Sequence, residues 1–201
     1  MTIATVDDLR AHYAAPRERA VKKQLAALDH HCRRFIALSP FVVIATSAAR
    51  GALDASPRGG TPGFIKATDE GALLVPDAPG NNRLDSLENI VATNRVGLLF
   101  LIPGVDETLR VNGTAVLSVD PQDLERCTDA RRTPTLVIRV TVEEAYLHCA
   151  KAFMRAHLWS AASLVARDAL PTLGQMIQDQ TGLDVASETR EEMLKRYAPD
   201  L

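Results

Sequence analysis

Residues 76–90 read PDAPGNNRLDSLENI, and they join two segments with different hydrophobic patterns. Residues 72–75, just before them, are short, apolar and bounded by glycine and proline, which predicts a buried strand. After a Pro79-Gly80 turn, apolar residues recur at helical spacing, so we predict a helix from Leu84 to about Thr93. The stretch therefore carries the chain from a buried strand into an amphipathic helix.

The start of this helix contains two asparagines and an arginine. Asn81 or Asn82 can act as the N-cap by accepting from the free amides of the first turn. Arg83 stands where those amides already make the helix end positive, so its charge needs a partner. Two interpretations remain open: the helix start and the guanidinium bind a phosphate, or Arg83 pairs locally with Asp85 or Glu88.

Composition limits the classes of function. The chain has 201 residues, of which 46% are hydrophobic and 24% charged, and a net charge of −2. Such a chain can bury one core, and without a basic tract it does not suit an extended nucleic-acid surface. No apolar run is long enough to span a membrane and residues 1–8 do not form a signal peptide, so we expect a cytoplasmic protein outside the membrane. The three cysteines are widely separated, which predicts plain thiols and no metal site; they are Cys32, Cys127 and Cys149.

The N-terminal part is predicted to be helical. Thr5 and Asp8 form a capping signal for a helix from Val6 to about Ala14. A second, longer helix is predicted from Arg17 to about Ala37. His30 and His31 fall on it, but adjacent helical residues diverge, so we interpret them as surface residues and not as metal ligands.

The middle of the chain is predicted to be β-structure with turns rich in Pro and Gly. The expected strands are Phe41–Ser47, Leu53–Ser56, Phe64–Ala67, 72–75, Arg95–Ile102, Thr108–Val119 and Thr135–His148. Residues 56–63 are expected to form a loop carrying the cation of Arg58, able to hold a ligand or simply to lie at the surface. Gly113 in mid-strand predicts a bulge or a close backbone approach, and a bulge is predicted at Glu143-Glu144.

The strand at 108–119 alternates cleanly, with Leu109, Val111, Ala115, Leu117 and Val119 predicted to face a core and Thr108 to face outward or into a polar cleft. Further helices are predicted at 121–129, 151–159, 171–182 and 187–197, with Asp120 and Ser187 as caps and Gly182 as a stop.

Strands joined by hairpins, with helices at both ends and one in the middle, predict a mainly β, α+β fold. We expect an antiparallel barrel of six or seven strands and one structural domain overall. Its parts are N-terminal helices at 1–38, the barrel at 39–160 and a C-terminal helical extension at 161–201. The glycine-rich dinucleotide motif and the P-loop are both absent from the sequence.

Several motifs resemble, in order and spacing, those of the pyridoxamine 5'-phosphate oxidase family of FMN-binding split barrels. They are Phe64-Ile65-Lys66, Leu74-Val75-Pro76-Asp77, Asn81-Asn82-Arg83 and Asn94-Arg95-Val96-Gly97. Ser56-Pro57-Arg58-Gly59, Leu109-Arg110-Val111-Asn112-Gly113 and His148-Cys149-Ala150-Lys151 are similar to motifs of a bacterial subgroup of FMN-binding proteins. The resemblance covers about Phe41 to Trp159.

The resemblance implies a binding site for FMN. It assigns Lys66, Asn82 and Arg83 to the phosphate and ribityl chain, and Arg58 or Lys151 replaces the cation that Asn82 lacks. It assigns the backbone of Phe64-Ile65 and of Val75-Pro76 to the isoalloxazine ring. It assigns Thr108 to the flavin of a second subunit, and so implies a homodimer with FMN at the interface. The residues implicated are Ser56, Arg58, Phe64, Ile65, Lys66, Val75, Pro76, Asn81, Asn82, Arg83, Thr108 and Lys151.

The implied activity is that of a flavin oxidoreductase acting on a small-molecule substrate, with NADH or NADPH as the candidate electron donor. No catalytic residue is assigned. Residues 187–197 lack the arginine- and histidine-containing C-terminal segment of the founding enzyme, so the resemblance extends to the flavin and not to pyridoxal phosphate. The alternatives are a split barrel that uses deazaflavin or haem, and a non-catalytic flavin-binding or sensor protein.

Overall fold

The structure is a computed structural model that describes residues 2–183 and 188–199. Seven strands form one antiparallel sheet with the order β2-β1-β5-β6-β7-β4-β3. In chain order they are β1 (Phe41–Ser47), β2 (Leu53–Gly59), β3 (Lys66–Ala67), β4 (Leu73–Pro76), β5 (Arg95–Leu101), β6 (Thr108–Ser118) and β7 (Val137–His148).

Helices precede, interrupt and follow the strands. They are α1 (Val6–Ala11), α2 (Glu18–Lys22), α3 (His30–Leu38), α4 (Asp85–Thr93), α5 (Pro121–Cys127), α6 (Lys151–Ala156), α7 (Leu173–Thr181) and α8 (Arg190–Tyr197), with short 3-10 turns at Ala161–Ser163 and Arg167–Ala169.

The sheet curls around a single large core. Side chains from strands that are far apart in the sheet order, such as Ile44 of β1 and Val75 of β4, belong to one buried cluster. Helix α3 adds Phe35 and Ile36 to this cluster, and α4 adds Ile90. The sheet and its two helices therefore enclose a common interior, and the predicted mainly β split barrel is confirmed.

The outer side of the sheet is covered at β4 and β7 by α5. Leu74, Val137 and Cys127 form a second buried cluster there. The buried carboxylate of Asp123 accepts from Arg139 Nη1 at 2.8 Å. Helix α5 begins as predicted, because the Asp120 side chain accepts from the amide of Gln122.

The predicted long helix at 17–37 is wrong, because it is two helices. Between them Leu25 pairs with Ala145 of β7, with N–H···O bonds of 2.9 and 2.8 Å in the two directions. The carboxylate of Asp29 then caps α3 by accepting from the amide of Cys32. A capping aspartate and a strand partner outweigh the helical periodicity of this segment. Thr5 caps α1 as predicted, although that helix ends at Ala11.

The predicted loop at 56–63 is also partly wrong, since β2 continues to Gly59. Its register against β1 runs from Leu53, opposite Ser47, to Gly59, opposite Phe41. Pro57 is tolerated in this strand because β2 is the edge of the sheet.

Both predicted bulges are confirmed as one irregularity. Asn112 pairs with Glu144 and Gly113 pairs with Val142, which leaves Glu143 as the extra residue. A Cβ on Gly113 would lie 2.0 Å from the carbonyl oxygen of Thr141, so only glycine fits this position.

Two orientation predictions for the sixth strand are wrong. Thr108 is 4% exposed and so is buried, whereas Val119 lies beyond the strand and is 70% exposed.

The C-terminal helices are shorter than predicted. Helix α6 ends at Ala156, since His157 adopts a left-handed conformation with a φ of 47°. Gly182 ends α7 as predicted, in the left-handed conformation with a φ of 68°. Thr189 caps α8, and the predicted cap Ser187 lies outside the described residues. Within residues 2–183 and 188–199, no helix is both long and apolar enough to cross a lipid bilayer.

Candidate functional site

Strand β2 presents polar side chains on the face that looks into the barrel. Ser56 is paired with Ile44 of β1, and Arg58 is paired with Val42. The side chains of Ile44 and Val42 are fully buried, so Ser56 and Arg58 lie on the same, inward face of the sheet. The half-buried Arg58 donates from Nη1 to Ser56 Oγ, and to the Pro57 carbonyl at 2.9 Å. The Arg58 guanidinium is therefore held on the inward face of a paired strand, and not on a loop as predicted.

The start of α4 lies beside this face of β2. Ser86 Oγ donates to the carboxylate of Asp54 at 2.5 Å, and Asp54 is two residues before Ser56 on the same strand face. Asn89 Nδ2 donates to Thr46 Oγ1 at 3.0 Å, and Thr93 Oγ1 donates to the Ser47 carbonyl at 3.1 Å. These bonds from one side of the helix fix α4 on the β1–β2 hairpin.

The helix start has no side-chain cap, so the predicted N-cap role of Asn81 or Asn82 is wrong. Leu84 occupies the cap position and makes no such bond. Asn81 Oδ1 accepts instead from the amide of Arg83 at 3.0 Å, and Asn82 is left-handed with a φ of 60°. The turn uses both asparagines to bend the chain. The first-turn amides are consequently left for another acceptor.

Arg83 forms an ion pair with Asp85, which is one of the two interpretations that the sequence left open. Its Nε donates to the Asp85 carboxylate, and the guanidinium is largely exposed. The bond to Asp85, with the charges of Asp85 and Asp54, holds the pKa of Arg83 above its ordinary value. The helix start therefore contains one cation and three carboxylates, those of Asp85, Glu88 and the neighbouring Asp54.

Phe64 and Ile65 belong to the interior wall. Ile65 is 3% exposed within the main core, and Phe64 packs against that core. Val75 is fully buried in the same core, and Pro76 follows it, half-buried, at the end of β4. These segments form an apolar wall of the barrel.

Lys66 lies on a different side from Arg58. It pairs with Leu74, whose side chain packs near Cys127 on the outer face. Its Nζ donates to the Gly63 carbonyl at 2.8 Å, and its charge opposes the rise in the pKa of Cys127 that burial causes.

Thr108 and Lys151 form a separate group. Thr108 begins β6 and pairs with His148 at the end of β7, three residues before Lys151. Lys151 is exposed and starts α6. In a single chain, the predicted polar site residues thus fall into three groups. The β2–α4 group contains Ser56, Arg58 and Arg83, Lys66 lies near α5, and Thr108 with Lys151 forms the third group.

The structure adds Asp54 and Ser86, which the sequence analysis did not select. Asp54 stands on a predicted strand and Ser86 on a predicted helix, and only the pairing of α4 with β2 brings them together. Among the described residues no group of three or more His, Cys, Asp or Glu side chains is arranged to hold a metal ion.

The fold and this arrangement define a split-barrel protein with a polar corner at the start of its mid-chain helix. A sequence model described as Pyridoxamine 5'-phosphate oxidase matches residues 28–149, more than half of the chain. The chain belongs to the pyridoxamine 5'-phosphate oxidase family.

Comparison with solved structures finds similar chains at low identity. HupZ of Group A Streptococcus is 15% identical with a TM-score of 0.49, over 60% of this chain and 93% of HupZ. The FAD binding protein of Mycobacterium smegmatis is 17% identical with a TM-score of 0.44, over 62% and 97%. General Stress Protein 26 of Bacillus anthracis is 15% identical with a TM-score of 0.41, over 58% and 93%. No curated protein matches the sequence.

Proposed function

We propose that this chain binds FMN and works as an oxidoreductase on a small molecule, as a homodimer with the flavin at the subunit interface. The observation that carries the proposal is the uncapped start of α4 beside Arg83, on the same side of the barrel as Ser56 and Arg58. Membership of the pyridoxamine 5'-phosphate oxidase family supports the same cofactor.

The donor set fits the phosphate of FMN. A phosphate dianion needs cations and N–H or O–H donors, and Arg58, Arg83, Ser56 and the first-turn amides of α4 are groups of this kind. Asp85 is the group that opposes it, because its carboxylate occupies Arg83. This ion pair is exposed to solvent and therefore weak, so a phosphate can displace Asp85 from Arg83.

The flat ring needs an apolar wall with a few polar contacts. We assign the backbone of Phe64, Ile65 and Val75 to this wall, because the side chains of Ile65 and Val75 are themselves buried in the core. In the proposed homodimer, the exposed Lys151 of the partner completes the site, whereas Thr108 is buried within its own subunit.

The flavin would supply the redox chemistry, accepting and passing on a hydride or an electron pair at N5. The residues of this chain bind the phosphate, orient the ring and exclude water from its apolar side. The protein needs no nucleophile of its own for this reaction, and we assign none.

The first test is the mass and absorption spectrum of the small molecule that co-purifies with the protein. Oxidised FMN in stoichiometric amount supports the proposal, whereas deazaflavin or haem in its place contradicts it. Anaerobic mixing with NADH or NADPH then tests the activity, since rapid bleaching indicates an oxidoreductase. Bound flavin that no donor bleaches would indicate a non-catalytic binding or sensor protein.

The second test removes the cations. Arg58→Ala combined with Arg83→Ala is expected to lose most of its bound FMN, because both charge-assisted contacts proposed for the phosphate are removed. Arg34→Ala, an exposed arginine of α3, is the control and is expected to keep FMN. A double variant that retains stoichiometric FMN would show that these residues do not hold the phosphate.

A further inference from the structure

The C-terminal segment, residues 151–199, contains a cavity that is separate from the barrel. It has a volume of about 570 Å³ and lies between residues 167–174 and residues 188–193, where α7 and α8 begin. Every described residue that lines it belongs to this segment. Pockets that bind small organic molecules have volumes of about 300–1,000 Å³, so this cavity is large enough for such a ligand.

Part of the lining is apolar. Leu170, Pro171 and Leu173 line the cavity from the approach to α7, and Met193 lines it from α8. In the chain alone Leu170 is 60% exposed and Leu173 is 50% exposed, so the two helices leave both leucines partly uncovered. Covering such side chains is favourable because it removes apolar surface from water. This part of the lining therefore suits the apolar body of a ligand.

The charged part of the lining has an excess of positive charge. Its described ionisable residues are Arg167, Asp168, Glu188 and Arg190. The Glu188 carboxylate is already bound by Arg196, whose Nε donates to Glu188 Oε2 at 3.0 Å and whose Nη2 donates to Oε1. Within residues 2–183 and 188–199, neither Arg167 nor Arg190 forms an ion pair. Two guanidinium groups therefore remain against the single carboxylate of Asp168, which favours an anionic ligand.

This preference does not depend on the two helix starts. Thr172 accepts from the amide of Gln175 and Thr189 accepts from the amide of Glu192, so each helix is capped by its own side chain. The anion-binding groups of the cavity are instead its two arginines. Arg167 is held at the lining, because its Nη1 donates to the Leu170 carbonyl at 3.3 Å. Its guanidinium keeps further N–H donors for a ligand.

We propose that this cavity binds a small organic acid that has an apolar body and a single carboxylate. The apolar body covers Leu170, Leu173 and Met193, and the carboxylate accepts from Arg167 and Arg190. A carboxylate matches the planar guanidinium group, which can donate two parallel hydrogen bonds to it.

The number of charges on the ligand follows from Asp168. This carboxylate lies in the same lining as the two arginines and repels a second negative charge on the ligand. A monocarboxylic acid is therefore favoured over a dicarboxylic acid or a phosphate dianion. The site goes beyond the proposed flavin site and does not depend on it.

Ligand-observed NMR titration of the full-length protein tests the class of ligand. Octanoate has both an alkyl chain and a carboxylate, octanol has the chain alone, and acetate has the carboxylate alone. Octanoate is expected to bind at least about tenfold more tightly than either, because a charge-assisted hydrogen bond and a buried alkyl chain each contribute a factor of that order. No binding of octanoate, or equally tight binding of octanol or acetate, would overturn the proposal.

A pair of charge variants locates the carboxylate. Arg190→Gln removes one positive charge from the lining and is expected to weaken octanoate binding at least about tenfold, with octanol binding unchanged. Lys195→Gln removes the same charge from an exposed position of the same helix and is expected to leave octanoate binding as it is. Equal losses in the two variants would show a general charge effect and no site at Arg190.

A second pair locates the apolar body. Met193→Trp places a larger side chain in the cavity and is expected to abolish the binding of octanoate and octanol alike. Leu194→Trp adds the indole one residue later on α8, at a position outside the lining that is 47% exposed, and is expected to bind as the wild type does. A Met193→Trp protein that keeps wild-type affinity for octanoate would contradict the proposal. The charge variants decide the question without altering the packing of the two helices.

Bound flavin is measured by its absorbance in the same samples. Octanoate that binds without releasing flavin, or binds to protein that contains none, supports a separate site. Octanoate that binds only as flavin is released would place the acid in the flavin site and overturn the proposal. A protein without flavin that still binds octanoate would refute the proposed cofactor alone.

Discussion

The guanidinium of Arg83 is bound by the carboxylate of Asp85, two residues further along the chain and in the first turn of the same helix. Asp85 therefore has two roles, since its charge favours the helix end and also occupies the cation assigned to the phosphate. In the proposed site, the phosphate would replace Asp85 as the partner of Arg83.

Asp85→Asn is expected to tighten FMN binding. The change frees Arg83, and because the ion pair it removes is exposed to solvent, we expect roughly a fivefold lower Kd at most. Titration by flavin fluorescence quenching at low and high salt measures this. Glu88→Gln removes the same charge from the same turn without touching Arg83, so equal gains from both variants would show a general charge effect instead.

Ser86→Ala is expected to lower the free energy of unfolding by about 1.5–3 kcal/mol. The variant leaves the Asp54 carboxylate without the hydroxyl that donates to it, and hydrogen bonds to charged groups are the costly ones to lose. Urea denaturation measures the change. Ser47→Ala is the control, because its backbone carbonyl and not its hydroxyl accepts from Thr93; comparable losses in both would rule out a special role for the Asp54 contact.

Gly113→Ala is expected to destabilise the protein by more than about 3 kcal/mol or to prevent folding. The new Cβ would meet a backbone oxygen at 2.0 Å, and the bulge cannot move without shifting the register of β6 against β7. Gly80→Ala is the control, since its Cβ would meet nothing closer than 4.0 Å. Thermal unfolding compares the two, and a Gly113→Ala protein as stable as wild type would contradict the steric argument.

Thiol chemistry is expected to distinguish the three cysteines. Burial raises the pKa of Cys32 and of Cys127 from 9.0 to about 11, whereas Cys149 is exposed. At pH 8 a thiol reagent should modify Cys149 quickly, and the other two only after denaturation. Rapid loss of all three thiols from the folded protein would contradict this.

The same two pKa values predict a pH dependence of stability. Because the folded-state pKa lies above the unfolded value, the unfolded chain loses its thiol protons first as the pH rises. Stability should therefore fall between about pH 9 and pH 11, by roughly 1.4 kcal/mol per pH unit for each buried thiol. Cys32→Ser with Cys127→Ser should remove this slope, and urea denaturation across that range tests it.

Much of the fold could be predicted because local pattern and tertiary structure agree there. The apolar run of β1, the capping aspartate of α5 and Gly182 at the end of α7 each depend on neighbours in sequence. The predictions failed where distant pairing decided the outcome. Leu25 leaves the helical pattern for Ala145, and β2 extends through Pro57 because β1 offers it a partner.

In the candidate site too, features set by local sequence were easier to predict than features set by contacts between distant segments. Asp85 as the partner of Arg83 was one of the alternatives that spacing left open, whereas the N-cap role predicted for Asn81 or Asn82 is wrong. Asp54 could not be foreseen, since a single carboxylate on a strand has no signature until α4 is placed against it. The roles assigned to Ser56, Arg58, Lys66, Thr108 and Lys151 stay predictions.

Both outermost strands of the sheet are poor acceptors of a foreign strand. The edge strand β2 carries Pro57, which has no N–H to offer, and the opposite edge strand β3 is only two residues long. Such edges disfavour aggregation of sheets through backbone hydrogen bonds between their edge strands. A sheet with such edges can expose an apolar side chain such as Leu53 without extending into fibres by strand addition.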